Sequence, residues 1–293
     1  MNLRQYLKGS LFVELLVVCA LIALFLPFLV TALARMQERQ LLAQTYQDQH
    51  IIKNAIRSHI KAQWARLLPA SCRIDERLFL TIESGDVPPA RLAAREVSKG
   101  SDWLKGVDYG LCRRSIMLDD NPIETTMDCH WKAGDKASFS SCESYYDGQV
   151  LNVTTRKSVI DFGVDVALGQ SGIIESQDAF YWYVSTGKEG VNALWRTPEE
   201  SGNSLELWNG IERIAVYPLL DSSGNGLVDT LETRHGEFSL TSIKGLWVEY
   251  QYQLSDCKMS GKTAFQQEYH SMRDEVWRYL SPCQGVGNQI IVL

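Results

Sequence analysis

Residues 10–34 read SLFVELLVVCALIALFLPFLVTALA, and this stretch decides the fold of the 293-residue chain. At about 1.5 Å per helical residue it spans about 37 Å, more than the roughly 30 Å hydrocarbon core of a bilayer. Arg4 and Lys8 precede it, and basic residues stay on the cytoplasmic side of a span. The sequence therefore predicts a single-pass membrane protein whose remaining chain is exported.

The one charge inside this stretch is Glu14. An acid in a membrane helix costs about 2.5 to 3.5 kcal/mol at the centre and less near an interface, so its presence calls for a function. A secretory signal peptide cut after Ala34, at the small-x-small sequence of residues 32–34, is one interpretation. A plain signal anchor for a periplasmic enzyme or binding protein is another. Neither explains Glu14.

A third interpretation rests on residues 8–15, KGSLFVEL. This octapeptide resembles the class III signal of type IV prepilins and pseudopilins. The resemblance implies that residues 1–9 are a leader, that prepilin peptidase cuts after Gly9, and that Ser10 becomes the new N-terminus, where the family carries methylation. Glu14 is then the fifth mature residue. Its carboxylate can neutralise the Ser10 ammonium of its own or an adjacent subunit, so we expect it to act in assembly.

A second resemblance lies in residues 206–229, ELWNGIERIAVYPLLDSSGNGLVD. This segment is similar to minor pilins of the PilW type. The resemblance implies a structural subunit needed for assembly or for the tip of a type IV pilus, with other minor pilins or pseudopilins as partners. A J-type minor pseudopilin of type II secretion is the related alternative. Pilus, competence filament and secretion pseudopilus stay open because these machines share the signal.

The helix is predicted to continue beyond the membrane to residue 68. Residues 35–68 contain no Pro or Gly, and Pro69 follows them. Apolar side chains recur every four residues, at Ile52, Ile56, Ile60 and Trp64. We therefore expect residues 10–68 to form one helix, kinked at Pro27, whose second half packs on a globular body.

The body, residues 69–293, is predicted to be β-rich, which makes the whole chain α+β and pilin-like. Short runs of strand-forming residues separated by turns favour antiparallel pairing over alternating βαβ units. Helical signals end at residues 89–97, and residues 73–112 stay largely unassigned. The predicted strands are residues 150–155, 164–168, 179–185, 193–196, 204–208, 213–219 and 245–254.

Six cysteines lie beyond the apolar stretch, which contains Cys19. They show no metal-binding spacing, so they indicate an oxidising compartment and up to three disulfides. Six cysteines allow fifteen pairings. Nearness in sequence favours Cys129 with Cys142 and Cys257 with Cys283, which leaves Cys72 with Cys112.

Residues 221–232, DSSGNGLVDTLE, match the spacing of a twelve-residue calcium loop. Gly226 would supply the sharp turn, and a solvated turn is the alternative because the same residue types favour turns. Calcium is the cofactor that this spacing predicts. The predicted ligands are the side chains of Asp221, Ser223, Asn225, Asp229 and Glu232 and the carbonyl group of Leu227.

Charge and motifs exclude other classes. The net charge of -6 and the scattered basic residues argue against nucleic-acid binding. No G-x-S-x-G, HExxH, Walker A or dinucleotide sequence is present, so we expect neither a catalytic residue nor enzyme activity. Of the possible activities, a structural subunit fits the sequence best.

Overall fold

The computed structural model describes residues 3–70, 74–126, 129–154, 157–255, 257 and 264–293, with the side chains of residues 3–11 left out. A long helix is followed by antiparallel strands, so the chain is α+β as predicted. The elements are α1 (Leu3–Trp64), β1 (Phe79–Ser84), a 3-10 turn (Ala90–Leu92), β2 (Asp102–Asp108), β3 (Arg113–Leu118), β4 (Ile123–Thr125), β5 (Lys136–Ser140), β6 (Tyr145–Val153), β7 (Ser158–Asp161), β8 (Gln170–Ser176), β9 (Asp178–Thr186), β10 (Asn192–Pro198), β11 (Leu205–Asn209), β12 (Ile211–Leu220), β13 (Thr230–Leu231), β14 (Gly236–Ser239), β15 (Ile243–Gln253), β16 (Phe265–His270), β17 (Val276–Ser281) and β18 (Gln284–Val292).

Helix α1 contains 62 residues and is therefore about 93 Å long. Pro27, where we expected a kink or loosened hydrogen bonding, lies inside this helix. The helix ends at Trp64, four residues before the predicted end. Just beyond this end, the carbonyl group of Arg66 accepts a hydrogen bond from the Tyr109 N–H at 3.0 Å. This carbonyl therefore pairs with the residue that follows β2 and not with a further turn of the helix.

The second half of α1 packs on the body, as its apolar periodicity predicted. Ile56, Ile60 and Trp64 are buried in the main core, with Trp64 fully inaccessible. The Tyr250 hydroxyl group also donates to the Lys53 carbonyl oxygen at 3.2 Å. The helix is thus held by apolar packing along its face and by hydrogen bonds to its backbone.

Two sheets form the base of the body. One has the strand order β11-β10-β9-β2-β1-β14 and the other β13-β12-β15-β18, and all their neighbouring strands run antiparallel. The main core draws on both sheets and on α1, through residues such as Leu104, Trp182, Val248 and Ile291. The hairpin β16–β17 lies on the outer face of the second sheet, where Trp277 is buried.

Residues 109–177 form an inserted module. The chain leaves the first sheet after Asp108 and returns at Asp178, and these two residues are paired across β2 and β9. Between them lies a six-stranded sheet of order β3-β8-β5-β6-β7-β4. It has a separate core that includes Phe139 and Ile174. Because the two ends of the module meet, the base sheet is continuous without it.

Most of the predicted strands are confirmed, although their ends differ. Strands β6, β9, β10, β11, β12 and β15 overlap six of them, while residue 155 lies outside the described residues. The strand predicted at residues 164–168 is wrong. Gly163 and Gly169 adopt φ angles of 61° and 81°, so the chain turns at both ends of this apolar run. Residues 73–112, left unassigned, contain β1 and β2.

Candidate functional site

The first half of α1 is an apolar surface without a partner in the body. Its large side chains are exposed from Phe12 to Leu33, reaching 74% at Leu24. In the part of the chain that the structure describes, α1 is the one helix long and apolar enough to cross a membrane. Such a surface is stable in lipid or against other apolar helices. The helix is therefore suited to single-pass anchoring.

The predicted processing and assembly residues lie at the start of this surface. Gly9 and Ser10 are within α1, and their side chains are outside the described part. Glu14 is exposed among apolar neighbours. Cys19, also within the described ranges, is exposed and forms no disulfide.

The loop of residues 221–232 is organised by two carboxylates. The Asp221 side chain accepts hydrogen bonds from the N–H groups of Asn225 at 3.0 Å and Gly226 at 2.7 Å. The Asp229 side chain accepts from the N–H of Ser222 at 3.0 Å. Burial would raise the pKa of Asp221, but the Gly226 and Asn225 donors outweigh it and lower the pKa. Both carboxylates therefore satisfy the loop's own amide groups.

The last predicted ligand points elsewhere. The Glu232 carboxylate binds the Arg234 guanidinium group with N–O distances of 3.0 and 2.9 Å. Within the described ranges, no group of three or more His, Cys, Asp or Glu side chains is arranged to hold a metal ion. Calcium binding stays a prediction of the sequence.

The lowered pKa values of the Asp229 and Glu232 carboxyl groups predict that the chain loses stability in acid. The Ser222 N–H lowers the pKa of Asp229 well below its usual range, and the Arg234 side chain lowers the pKa of Glu232 to about 2. A carboxyl group whose pKa is lower in the folded state stabilises the fold above its unfolded pKa, about 4, and loses that effect as the pH falls further. We expect Asp229→Asn to destabilise the chain most above pH 4.

The measurement is urea unfolding of the full chain in detergent at several pH values from 7 down to 2. The difference in unfolding midpoint between wild type and Asp229→Asn should shrink as the pH falls below about 4. Glu76→Gln, at an exposed position, is the matched control. A difference that stays constant with pH contradicts the role given to the ionised Asp229 carboxylate.

The described disulfides agree with one expected pair. Cys257 and Cys283 are bonded, with their Cα atoms 5.4 Å apart, as predicted. Cys112 is bonded to Cys129, so the expected pairs of Cys129 with Cys142 and of Cys72 with Cys112 are wrong. Cys142 is disulfide-bonded, and Cys72 lies outside the described residues.

The reason for the error is the topology of the inserted module. Cys112 directly precedes β3 and Cys129 follows β4, and these strands are the two edges of the module's sheet. Both cysteines pack on the module's core. The bond therefore joins two edges that nearness in sequence could not identify.

The Cys257–Cys283 bond predicts a measurable loss of stability when removed. The cysteines are 26 residues apart, and closing a loop of that length is worth about 3.5 kcal/mol in the chain-entropy account. We expect the double variant Cys257→Ser, Cys283→Ser to melt well below wild type in non-reducing detergent solution. Cys19→Ser is the control and should not change the melting temperature. Equal melting temperatures for the double variant and wild type contradict the prediction.

Two buried ion clusters were not anticipated from the sequence. In the first, Asp102 is only 4% exposed and accepts from both the Arg273 guanidinium group, at 2.7 and 2.8 Å, and the His235 imidazole, at 2.9 Å. The Val216 N–H donates to the same carboxylate at 2.7 Å. Arg273 also donates to the Thr233 carbonyl oxygen at 2.7 Å. This cluster joins the two base sheets to the turn between β16 and β17.

The second cluster holds the end of α1. The Asp108 carboxylate is buried and lies 2.7 Å from the Arg66 guanidinium and 3.4 Å from that of Arg196. Burial raises the pKa of Asp108, although both arginines act in the opposite direction. Arg196 also donates to Gln63 on α1 at 3.1 Å. The contacts of Asp108 and Arg196 thus link the end of α1 to β2 and β10.

Each cluster pairs its carboxylate with arginine, which has no proton to exchange near neutral pH, and the first cluster adds the His235 imidazole. No family model matches the chain. No curated protein and no solved structure matches it either.

Proposed function

We propose that this chain is a minor pilin, a structural subunit needed for the assembly or the tip of a type IV pilus. The observation that supports this most is the division of α1. The large apolar side chains from Phe12 to Leu33 are exposed, whereas Ile56, Ile60 and Trp64 are buried in the body. One helix that is both a membrane anchor and part of the core suits a subunit that leaves the membrane as a unit.

In this proposal residues 1–9 are removed after Gly9 by prepilin peptidase. The body stays in the periplasm until assembly with other minor subunits. A J-type minor pseudopilin of type II secretion is the second candidate, since the same helix and signal serve it. A signal-anchored periplasmic enzyme or binding protein is the candidate from another class, and it leaves Glu14 without a role.

Glu14 is the residue whose role separates these classes. An exposed carboxylate among apolar side chains is costly in lipid unless it meets a positive charge. The Ser10 ammonium of the mature chain, on the same or a neighbouring subunit, is the partner that we propose. A plain anchor has no such requirement, because one unpaired acid near an interface does not prevent insertion.

The test is incorporation into filaments in a piliated host that expresses the chain with its partner subunits. We expect Glu14→Gln to lower the amount recovered in sheared filaments by more than about tenfold, because an unpaired ammonium remains in apolar surroundings. The amount in the membrane should be unchanged. Glu38→Gln, at an exposed position on the same helix, is the control. Equal incorporation of Glu14→Gln and wild type rejects the assembly role.

A further inference from the structure

Strand β18 is the free edge of the second base sheet. It pairs with β15 over nine residues without a bulge. The Leu254 N–H donates to the Cys283 carbonyl and the Leu293 N–H to the Lys244 carbonyl. Since hydrogen-bonded pairs alternate along an antiparallel ladder, the backbone groups of residues 285, 287, 289 and 291 bond β15. Those of residues 286, 288, 290 and 292 point away from the sheet.

The outward groups are open to solvent along most of the strand. The Gln49 side chain of α1 covers the start of the edge by donating to the Gln284 carbonyl at 3.1 Å. Beyond it, Ile290 is 55% exposed and Val292 is 72% exposed. In the described part of the chain, the outward N–H and C=O groups of these two residues have no hydrogen-bond partner.

The other sheet edges are protected and β18 is not. Natural proteins guard edge strands with charge, bulges or short length, because an open edge recruits other strands. Strand β18 contains no charged residue and no Pro. The other described edge strands are either two residues long, as β13 is, or carry a charged side chain: Arg113 in β3, Glu124 in β4, Glu206 in β11, Glu237 in β14, Glu268 in β16 and Arg278 in β17.

We propose that the outer edge of β18 binds an extended segment of another polypeptide, which adds a strand to the second base sheet. Main-chain hydrogen bonds to the outward groups supply the affinity. The side chains of Val286, Ile290 and Val292 share the outer face of the sheet, so the segment should carry β-branched residues at alternate positions. Because this edge is uncharged, a neutral segment matches it best.

Antiparallel pairing of β18 with the β18 of a second copy of this chain is excluded by geometry. Antiparallel pairing of β18 with itself needs a two-fold axis perpendicular to the sheet. Helix α1 packs on a face of that sheet and so lies roughly parallel to it. The axis would reverse the second helix and point its apolar half away from the shared membrane. The proposed occupant is a strand of a different chain, and this choice depends on anchoring but not on filament assembly.

The test uses the full chain in detergent micelles and a synthetic probe peptide. The probe has a Val-Thr-Val-Thr-Val centre between terminal lysines, and its control carries N-methyl groups on alternate backbone amides. We expect isothermal titration calorimetry to show saturable binding of the probe and none of the control. Binding also should slow amide hydrogen exchange at residues 288–292.

Two variants assign the site. Ile290→Lys places a charge on the edge and should weaken binding by about tenfold or more. Ile290→Pro removes one outward N–H without removing a bond to β15, so it should fold and also bind less. Leu205→Lys, on the exposed end of β11, is the matched control and should bind like wild type.

Three results overturn the proposal: no binding by wild type, equal binding of the N-methylated control, or undiminished binding by Ile290→Lys. The peptide comparison holds even if a variant fails to fold. Because the measurement needs neither processing nor assembly, its failure is distinct from failure of the pilin proposal.

Discussion

We expect Gly9→Val to leave the membrane-bound chain about 1 kDa heavier than wild type, because the proposed cleavage removes nine residues from a chain of 293 residues and 33.1 kDa. The physical reason is local. In the proposed cleavage, Gly9 leaves the bond after it open to the peptidase because it has no side chain, and Val adds a β-branched one. Intact-mass analysis of the chain purified from membranes measures this difference, since the leader is either present or removed.

The control is Ala34→Val, which blocks cleavage after the small residues at the far end of the apolar stretch. Wild type and Ala34→Val should both begin at Ser10, and Gly9→Val should begin at Met1. A wild-type chain that begins at Arg35 identifies a secretory signal peptide instead. A wild-type chain that begins at Met1 identifies a plain anchor, and either result rejects the pilin proposal.

Breaking the Asp102 cluster is expected to cost about 3 to 5 kcal/mol of unfolding free energy. Asp102→Ala leaves the Arg273 guanidinium group, whose side chain is 11% exposed, without its carboxylate partner. It also leaves the buried Val216 N–H without an acceptor. Both losses act in the same direction, because a buried charge and a buried donor each carry an uncompensated desolvation cost. Urea unfolding of the full chain in detergent measures the change.

An exposed ion pair in the same hairpin provides the control. Arg278 binds Glu268 at 3.0 Å, and their side chains are 69% and 50% exposed. Arg278→Met should therefore cost less than about 1 kcal/mol. If Asp102→Ala lowers the unfolding free energy as little as Arg278→Met does, the cluster does not hold the two sheets to the hairpin.

A double-mutant cycle separates the pair from its surroundings. Arg273→Met alone should also be strongly destabilising, and adding it to Asp102→Ala should cost less than the sum of the two single changes. Arg273 also donates to the Thr233 carbonyl oxygen. Arg273→Met therefore removes a further hydrogen bond, and the free energy of that bond is not shared with Asp102→Ala. Strict additivity of the two changes contradicts a direct interaction between these side chains.

Local patterns carried several correct predictions. The four-residue spacing of Ile56, Ile60 and Trp64 predicted the buried face of α1, because helical neighbours share a face whatever the rest of the chain does. Cys257 and Cys283 were paired correctly because they are near in sequence and lie on adjoining segments. Strands such as β9 and β15 were found because long apolar and aromatic runs bounded by turns have few alternatives.

Long-range pairing produced the errors. An apolar run at residues 164–168 reads as a strand, yet it is a connection between β7 and β8 whose Ala167 N–H donates to the Tyr146 hydroxyl. The bond between Cys112 and Cys129 depends on which strands form the edges of a sheet, and strand order is not written in local composition.

The sequence by itself determined that the chain has a long helix with an apolar first half, a β-rich body and an acid at position 14, because composition and short periodicities act over one or two helical turns. Only the tertiary structure decided that residues 109–177 are an inserted module, that Asp102 and Arg273 meet across 171 residues, and that β18 lies at the edge of its sheet. Each of these depends on which distant segments pair, and that choice is made by the packing of the whole core.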